Sequence, residues 1–147
     1  MSGGFHTIGD WIETGVDVAV TLASDSHGRV LIQLRDDFAH VVKAGWWCLF
    51  GGHVEQDEAL IDAAAREFAE ETGLDFPQNS FVPFVRLVSD NGRRHFVYRL
   101  EVPVTGAQIS LCEGAGFAFV NAGQLEQLRI LPAARLALDH HFTTPTR

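Results

Sequence analysis

Residues 52–74 read GHVEQDEALIDAAAREFAEETGL, and within them Glu67, Glu70 and Glu71 recur at i, i+3 and i+4. On an α-helix that spacing brings all three side chains to one face. Carboxylates so crowded repel one another, and a cation among them removes that cost. Oxygen ligands suit a hard divalent ion such as Mg2+, which commonly bridges to substrate phosphates. The stretch therefore points to a metal-dependent reaction on a phosphorylated substrate. The alternative for the same residues is a solvated acidic helix face carrying an Arg–Glu surface pair.

Working outward, the helix is expected from about Asp57 or Glu58 to Thr72. Ile61, Ala65 and Phe68 form its buried face, Asp57 its N-cap and Gly73 a left-handed C-cap residue. Upstream, residues 16–24 alternate and are rich in β-branched side chains. A turn at residues 25–28 leads into residues 30–35 as the hairpin partner. Residues 36–45 read as a loop, and residues 46–50 as a short apolar strand running into Gly51 and Gly52. Downstream, strands over residues 81–89 and 94–102 flank Asp90-Asn91-Gly92, a strong hairpin signal. Residues 115–120 form another strand. Asn121 caps a helix to about Leu128, and Pro132 opens a last helix ending near His140. The order β-β-β-α-β-β-β-α implies an α/β fold, a mixed sheet with helices on both faces.

The 147 residues suit one domain with a proper core, spanning residues 1–147. Residues 1–12, with Gly3, Gly4 and Gly9, read as a loosely held arm whose Phe5, Ile8 and Trp11 can dock on the core. A net charge of -8 argues against a general nucleic-acid polymer or anionic-membrane binder. It does not exclude a single nucleotide held through a metal ion. Cys48 and Cys112 show no metal-ligand spacing, and no secretory leader is evident. The expectation is two reduced thiols in a cytoplasmic protein. No apolar run approaches the roughly 20 residues that cross a membrane.

Gly52-x5-Glu58-x7-Arg66-Glu67-Phe68-x-Glu70-Glu71-x-Gly73-Leu74 resembles the Nudix box at every defined position. The resemblance implies a Nudix-type α/β/α sandwich with the box as a loop-helix-loop. It implies hydrolysis of a nucleoside diphosphate linked to another moiety, with Mg2+ or Mn2+ as cofactor. Glu67, Glu70, Glu71 and the carbonyl of Gly52 then stand as metal ligands, Arg66 as the residue orienting a glutamate, and Glu58 as an outer member of that network. The general base is either a box glutamate, such as Glu70, or an acidic residue of a later loop, for which Glu113 is the candidate. One departure is Phe50, where many relatives carry proline.

Substrate recognition is less sharply written. Arg35 is a candidate for phosphates; Trp46 and Phe119, with Trp47 and Phe38, are candidates for stacking on a base, although aromatics in and beside strands are more often core. Arg86, Arg93 and Arg94 are further cations, and the histidines show no ligand arrangement. The expected partner is a small nucleotide, most simply a (deoxy)nucleoside triphosphate cleaved to the monophosphate and pyrophosphate. A nucleotide-sugar (ADP-ribose-like) hydrolase and a non-catalytic nucleotide-sensing domain are the alternatives. Both monomer and homodimer remain open.

Overall fold

A computed structural model describes residues 3–35, 45–112 and 114–144. The strands are β1 (His6–Thr7), β2 (Asp17–Leu22), β3 (Val30–Leu34), β4 (Trp47–Cys48), β5 (Phe50–His53), β6 (Phe81–Val88), β7 (Arg94–Leu100) and β8 (Gly116–Val120). Helix α1 (Leu60–Thr72) follows β5, and α2 (Pro132–Thr143) closes the chain. β1-β6-β7-β2-β5 form a mixed sheet, with β2 parallel to β7 and antiparallel to β5. β4-β3-β8 form a second, smaller antiparallel sheet.

The alternation of β2 divides the core between two layers. Val18, Val20 and Leu22 pack with Ala134, Ala137 and Leu138 of α2. Ala19 and Ala23 pack with Ala63, Ala64 and Phe68 of α1. Because successive side chains of a strand point to opposite faces, the sheet takes a helix on each side. The α/β/α arrangement expected from the box is the one observed.

Three local expectations need correction. The strands flanking the turn at residues 25–28 do not continue as a hairpin. They meet at one bridge, Ser24 with Val30, and then diverge into different sheets. β2 is central and already paired on both edges, so β3 finds its partners in β4 and β8. The apolar run at residues 46–50 likewise breaks at Leu49, with β4 in the small sheet and β5 in the large one. Helix α1 starts at Leu60 rather than near Asp57, which sits at φ 63° in the turn before it. The N-cap residue is Ala59 and makes no side-chain cap, whereas Gly73 closes the helix at φ 77° as expected. The docking expected of Phe5, Ile8 and Trp11 is observed, and strand pairing holds it: β1 pairs in parallel with β6 and Phe5 is buried edge-on against Phe96 and Tyr98. The indole of Trp11 lies under the Arg86 guanidinium at 3.9 Å. Among the described residues, no helix is long and apolar enough to cross a membrane.

Candidate active site

Arg66 is the hub of the box. Its Nε donates to Glu58 Oε2 at 2.8 Å and its Nη2 to Glu58 Oε1 at 3.0 Å, a two-pronged contact that fixes the guanidinium plane. Nη1 donates to Glu67 Oε1 at 3.0 Å and Glu70 Oε1 at 3.3 Å, and Nη2 also reaches the His53 carbonyl at 3.2 Å. The hydrogen bonds that Arg66 donates to Glu58 first, then those to Glu67 and Glu70, raise the Arg66 pKa further. In return, Arg66 and the backbone N–H of Glu55 hold Glu58 below the usual carboxylate range. One cation thus sets the relative positions of three carboxylates from the loop and α1.

The glycines before α1 are required by packing. A β-carbon on Gly52 would lie 2.3 Å from Glu67 Cδ and 2.4 and 2.5 Å from its oxygens. One on Gly51 would meet the Ala19 carbonyl oxygen at 2.5 Å. Gly52 therefore lets the Glu67 carboxylate lie directly on the backbone of β5. Glu71, one turn on, is 5% exposed although it is a carboxylate. Its Oε2 accepts from Gln33 Nε2 at 3.4 Å. Glu70 lies on the open side of the helix.

Among the described residues no three His, Cys, Asp or Glu side chains form a ready-made cation site. Arg66 stands between Glu67 and Glu70 and ties each to itself. The donor chemistry nevertheless fits a hard divalent ion: Glu67 and Glu71 offer carboxylate oxygens that line one cavity, beside backbone cleared of any side chain at Gly52.

That cavity, about 860 Å3, runs from Gly52, Glu67 and Glu71 over Val18, Val20 and Val97 to the β6–β7 turn at Asp90 and Asn91. Arg35 and Trp46 line it, and Arg129 lies over the Trp46 ring at 5.8 Å. Phe119 is not among its described lining residues; it packs edge-on against Phe117 and on the α1-side core. Glu113 and Phe38 lie outside the described residues. Burial pushes the Cys48 thiol up to about 11. Burial, reinforced by Arg93, pushes the His95 imidazole down to about 4. Both are therefore uncharged at neutral pH and add two uncharged polar groups to a lining that also holds Arg35, Arg93, Glu67 and Glu71.

Gln33, His95 and Asn91 also line this cavity and were not singled out from sequence. For Gln33 a signal existed: it is the one polar residue in Val30–Leu34, and a polar side chain in an otherwise apolar strand is the informative kind. His95 and Asn91 carry no comparable mark, since their part in the cavity depends on how β7 packs beside β2.

The NUDIX domain family model matches residues 13–142. Over 67 residues, 46% of this chain, the sequence is 37% identical to the m7GpppN-mRNA hydrolase NUDT17 of Bos taurus, covering 22% of that protein. The chain thus spans about a fifth of the length of the curated relatives it matches. The MutT protein of Methanosarcina mazei Go1 superposes with a TM-score of 0.67 at 25% identity, over 89% of this chain and 96% of that one. A MutT Nudix hydrolase of Burkholderia pseudomallei gives 0.71 at 21% identity, over 86% and 98%. With the complete box folded as a loop-helix-loop against a mixed sheet, and the family model covering nearly the whole chain, this protein belongs to the Nudix family.

Proposed function

We propose that the chain hydrolyses a nucleoside diphosphate linked to another moiety with the help of a divalent cation. Its substrate is a nucleoside or deoxynucleoside triphosphate, cleaved to the monophosphate and pyrophosphate. One observation carries this reading: Gly52, Glu67 and Glu71 share a single cavity with Arg35, Trp46 and Arg93. A volume of about 860 Å3 lies within the range of small-molecule sites and accommodates a nucleotide.

Glu67, Glu70, Glu71 and the Gly52 carbonyl would hold Mg2+, with Mn2+ able to substitute. The ion, when bound, neutralises phosphate charge and makes water a better nucleophile. Arg66 keeps Glu58, Glu67 and Glu70 in register. Glu70, on the open side of the helix, takes the proton from the attacking water as its oxygen bonds to phosphorus and the phosphoanhydride bond breaks. Glu113 is the other candidate for that proton. Arg35 supplies positive charge to the phosphates and Trp46 a ring face to the base.

A second reading is a dinucleoside triphosphate of the m7GpppN kind, favoured by the identity shared with the m7GpppN-mRNA hydrolases. The test is a panel of triphosphates, oxidised nucleotides, ADP-ribose, nucleotide sugars and m7GpppN, with products identified and the attacked phosphorus located in 18O-labelled water. Monophosphate and pyrophosphate from a triphosphate, lost with a chelator and restored by Mg2+, are expected. Intact triphosphates beside a cleaved m7GpppN or ADP-ribose would reassign the substrate. An intact but tightly bound nucleotide throughout would reject hydrolysis.

A further inference from the structure

The carboxylate most withdrawn from solvent in the box, Glu71, is approached by a side chain from the other sheet. Gln33 lies on β3, 7% exposed, and its Nε2 has two hydrogens and two acceptors. One acceptor is Glu71 Oε2 at 3.4 Å, the other the Leu49 carbonyl at 3.3 Å. Leu49 is the residue at which the chain leaves the small sheet for the large one. The orientation of the amide is therefore held by backbone on one side and presented to Glu71 on the other. Its oxygen faces Gly114, where a β-carbon would come within 2.9 Å of Oε1.

We infer that Gln33 is a positioning residue for Glu71, holding that carboxylate in the conformation in which it ligates the divalent cation. The inference rests on the metal-site reading above. Two electrostatic solutions operate within one box. Glu58, Glu67 and Glu70 share the guanidinium of Arg66, whose positive charge organises them. Glu71 receives from Gln33 a neutral donor. An amide N–H fixes the rotamer of a carboxylate without neutralising it, so the full negative charge remains for a cation. A lysine or arginine at position 33 would satisfy the same oxygen but compete with the ion for it. A buried carboxylate held by a neutral donor is stabilised further when a cation arrives, so the affinity of the ion and the placement of Gln33 are coupled.

The test measures Mn2+ binding directly, by electron paramagnetic resonance of the unbound ion, on the full chain without nucleotide. Gln33→Met keeps side-chain length and removes both donors; Gln33→Asn keeps the amide but shortens its reach. Each is expected to weaken Mn2+ binding about tenfold, the lower end of the range for residues that support a ligand. The Mg2+ concentration for half-maximal turnover should rise in parallel. Asparagine serves if the methionine variant fails to fold. Glu71→Gln is the reference: if it abolishes Mn2+ binding while both Gln33 variants bind as the wild type does, Gln33 has no positioning role. If Glu71→Gln itself binds Mn2+ normally, the metal-site reading falls, and this inference with it.

Discussion

Replacing Gly52 with alanine separates the site from the fold. The new β-carbon would lie 2.3 Å from Glu67 Cδ, between two carboxylate oxygens at 2.4 and 2.5 Å. Non-bonded carbons pack at about 3.5–4.0 Å, so the carboxylate must withdraw by roughly 1 Å or more. The obstacle is the far end of a flexible side chain, and Gly52 does not occupy the left-handed region, so rotation of Glu67 relieves the clash. The expected stability loss is about 1 kcal/mol, the low end for overpacking. That lowers Tm by about 2–4 °C in a chain of this size. A group misplaced by about 1 Å at a reacting centre lowers turnover about 100-fold. Gly51→Ala behaves in the opposite way. Its β-carbon meets the Ala19 carbonyl oxygen at 2.5 Å and Val20 Cα at 2.8 Å, backbone atoms that cannot rotate aside. Strand β5 must shift, at a cost of about 3 kcal/mol or more. Thermal melts followed by circular dichroism and turnover on the best substrate of the panel measure both quantities. Turnover of Gly52→Ala within about threefold of wild type would refute the reasoning about Glu67. Equal melting losses in the two variants would refute the separation of site from fold.

Arg66→Gln is expected to lower turnover by about 100-fold or more, because Glu58, Glu67 and Glu70 lose their common donor; normal kcat in a folded variant would remove Arg66 from the site. The Glu58 carboxyl is held below its ordinary value of 4.5, so its stabilisation is fully present above that pH and is lost as pH falls through the lowered value. Melting curves of wild type and Glu58→Gln should therefore converge in acid and separate near neutrality. His95 behaves differently. Its imidazole, pushed from 6.5 down to about 4, is uncharged in both folded and unfolded chains above pH 6.5. Stability should fall as pH drops from about 6.5 to about 4, where only the unfolded chain takes up the proton, and His95→Asn should flatten that slope in urea titrations. Phe68→Ala should destabilise the chain by about 3–5 kcal/mol, because the ring is fully buried and meets Phe50 and Phe81 edge-on. A loss below about 1 kcal/mol in denaturant titration would contradict that packing.

Much of the site's reactive end was legible because it is local. Glu67, Glu70 and Glu71 share a face through helix geometry alone, Gly73 adopts the conformation its place at a helix end requires, and Asn91-Gly92 turns the chain between β6 and β7. Helix entry is not legible in the same way, since Asp57 is a good capping residue by type but is used in a turn at positive φ. Glu58, not Asp57, closes that turn, accepting from the Glu55 N–H at 3.0 Å. Trp46 and Arg35 do line the cavity, whereas Phe119 faces the α1-side core. An aromatic residue in a strand carries no mark of which layer it will meet.

By itself the sequence determined the box helix, its glutamate face and the family to which the chain belongs, because those depend on identities a few residues apart. Tertiary structure alone decided that two strands beside one turn enter different sheets, that β1 docks on β6, and that Glu71 is buried beneath Gln33. It also decided that β2 backbone leaves no room for a side chain at Gly51 and that a side chain at Gly52 would displace the Glu67 carboxylate of α1. The physical reason is range. Helix spacing and turn chemistry act along the chain, but steric exclusion and carboxylate burial depend on which distant segments share a space.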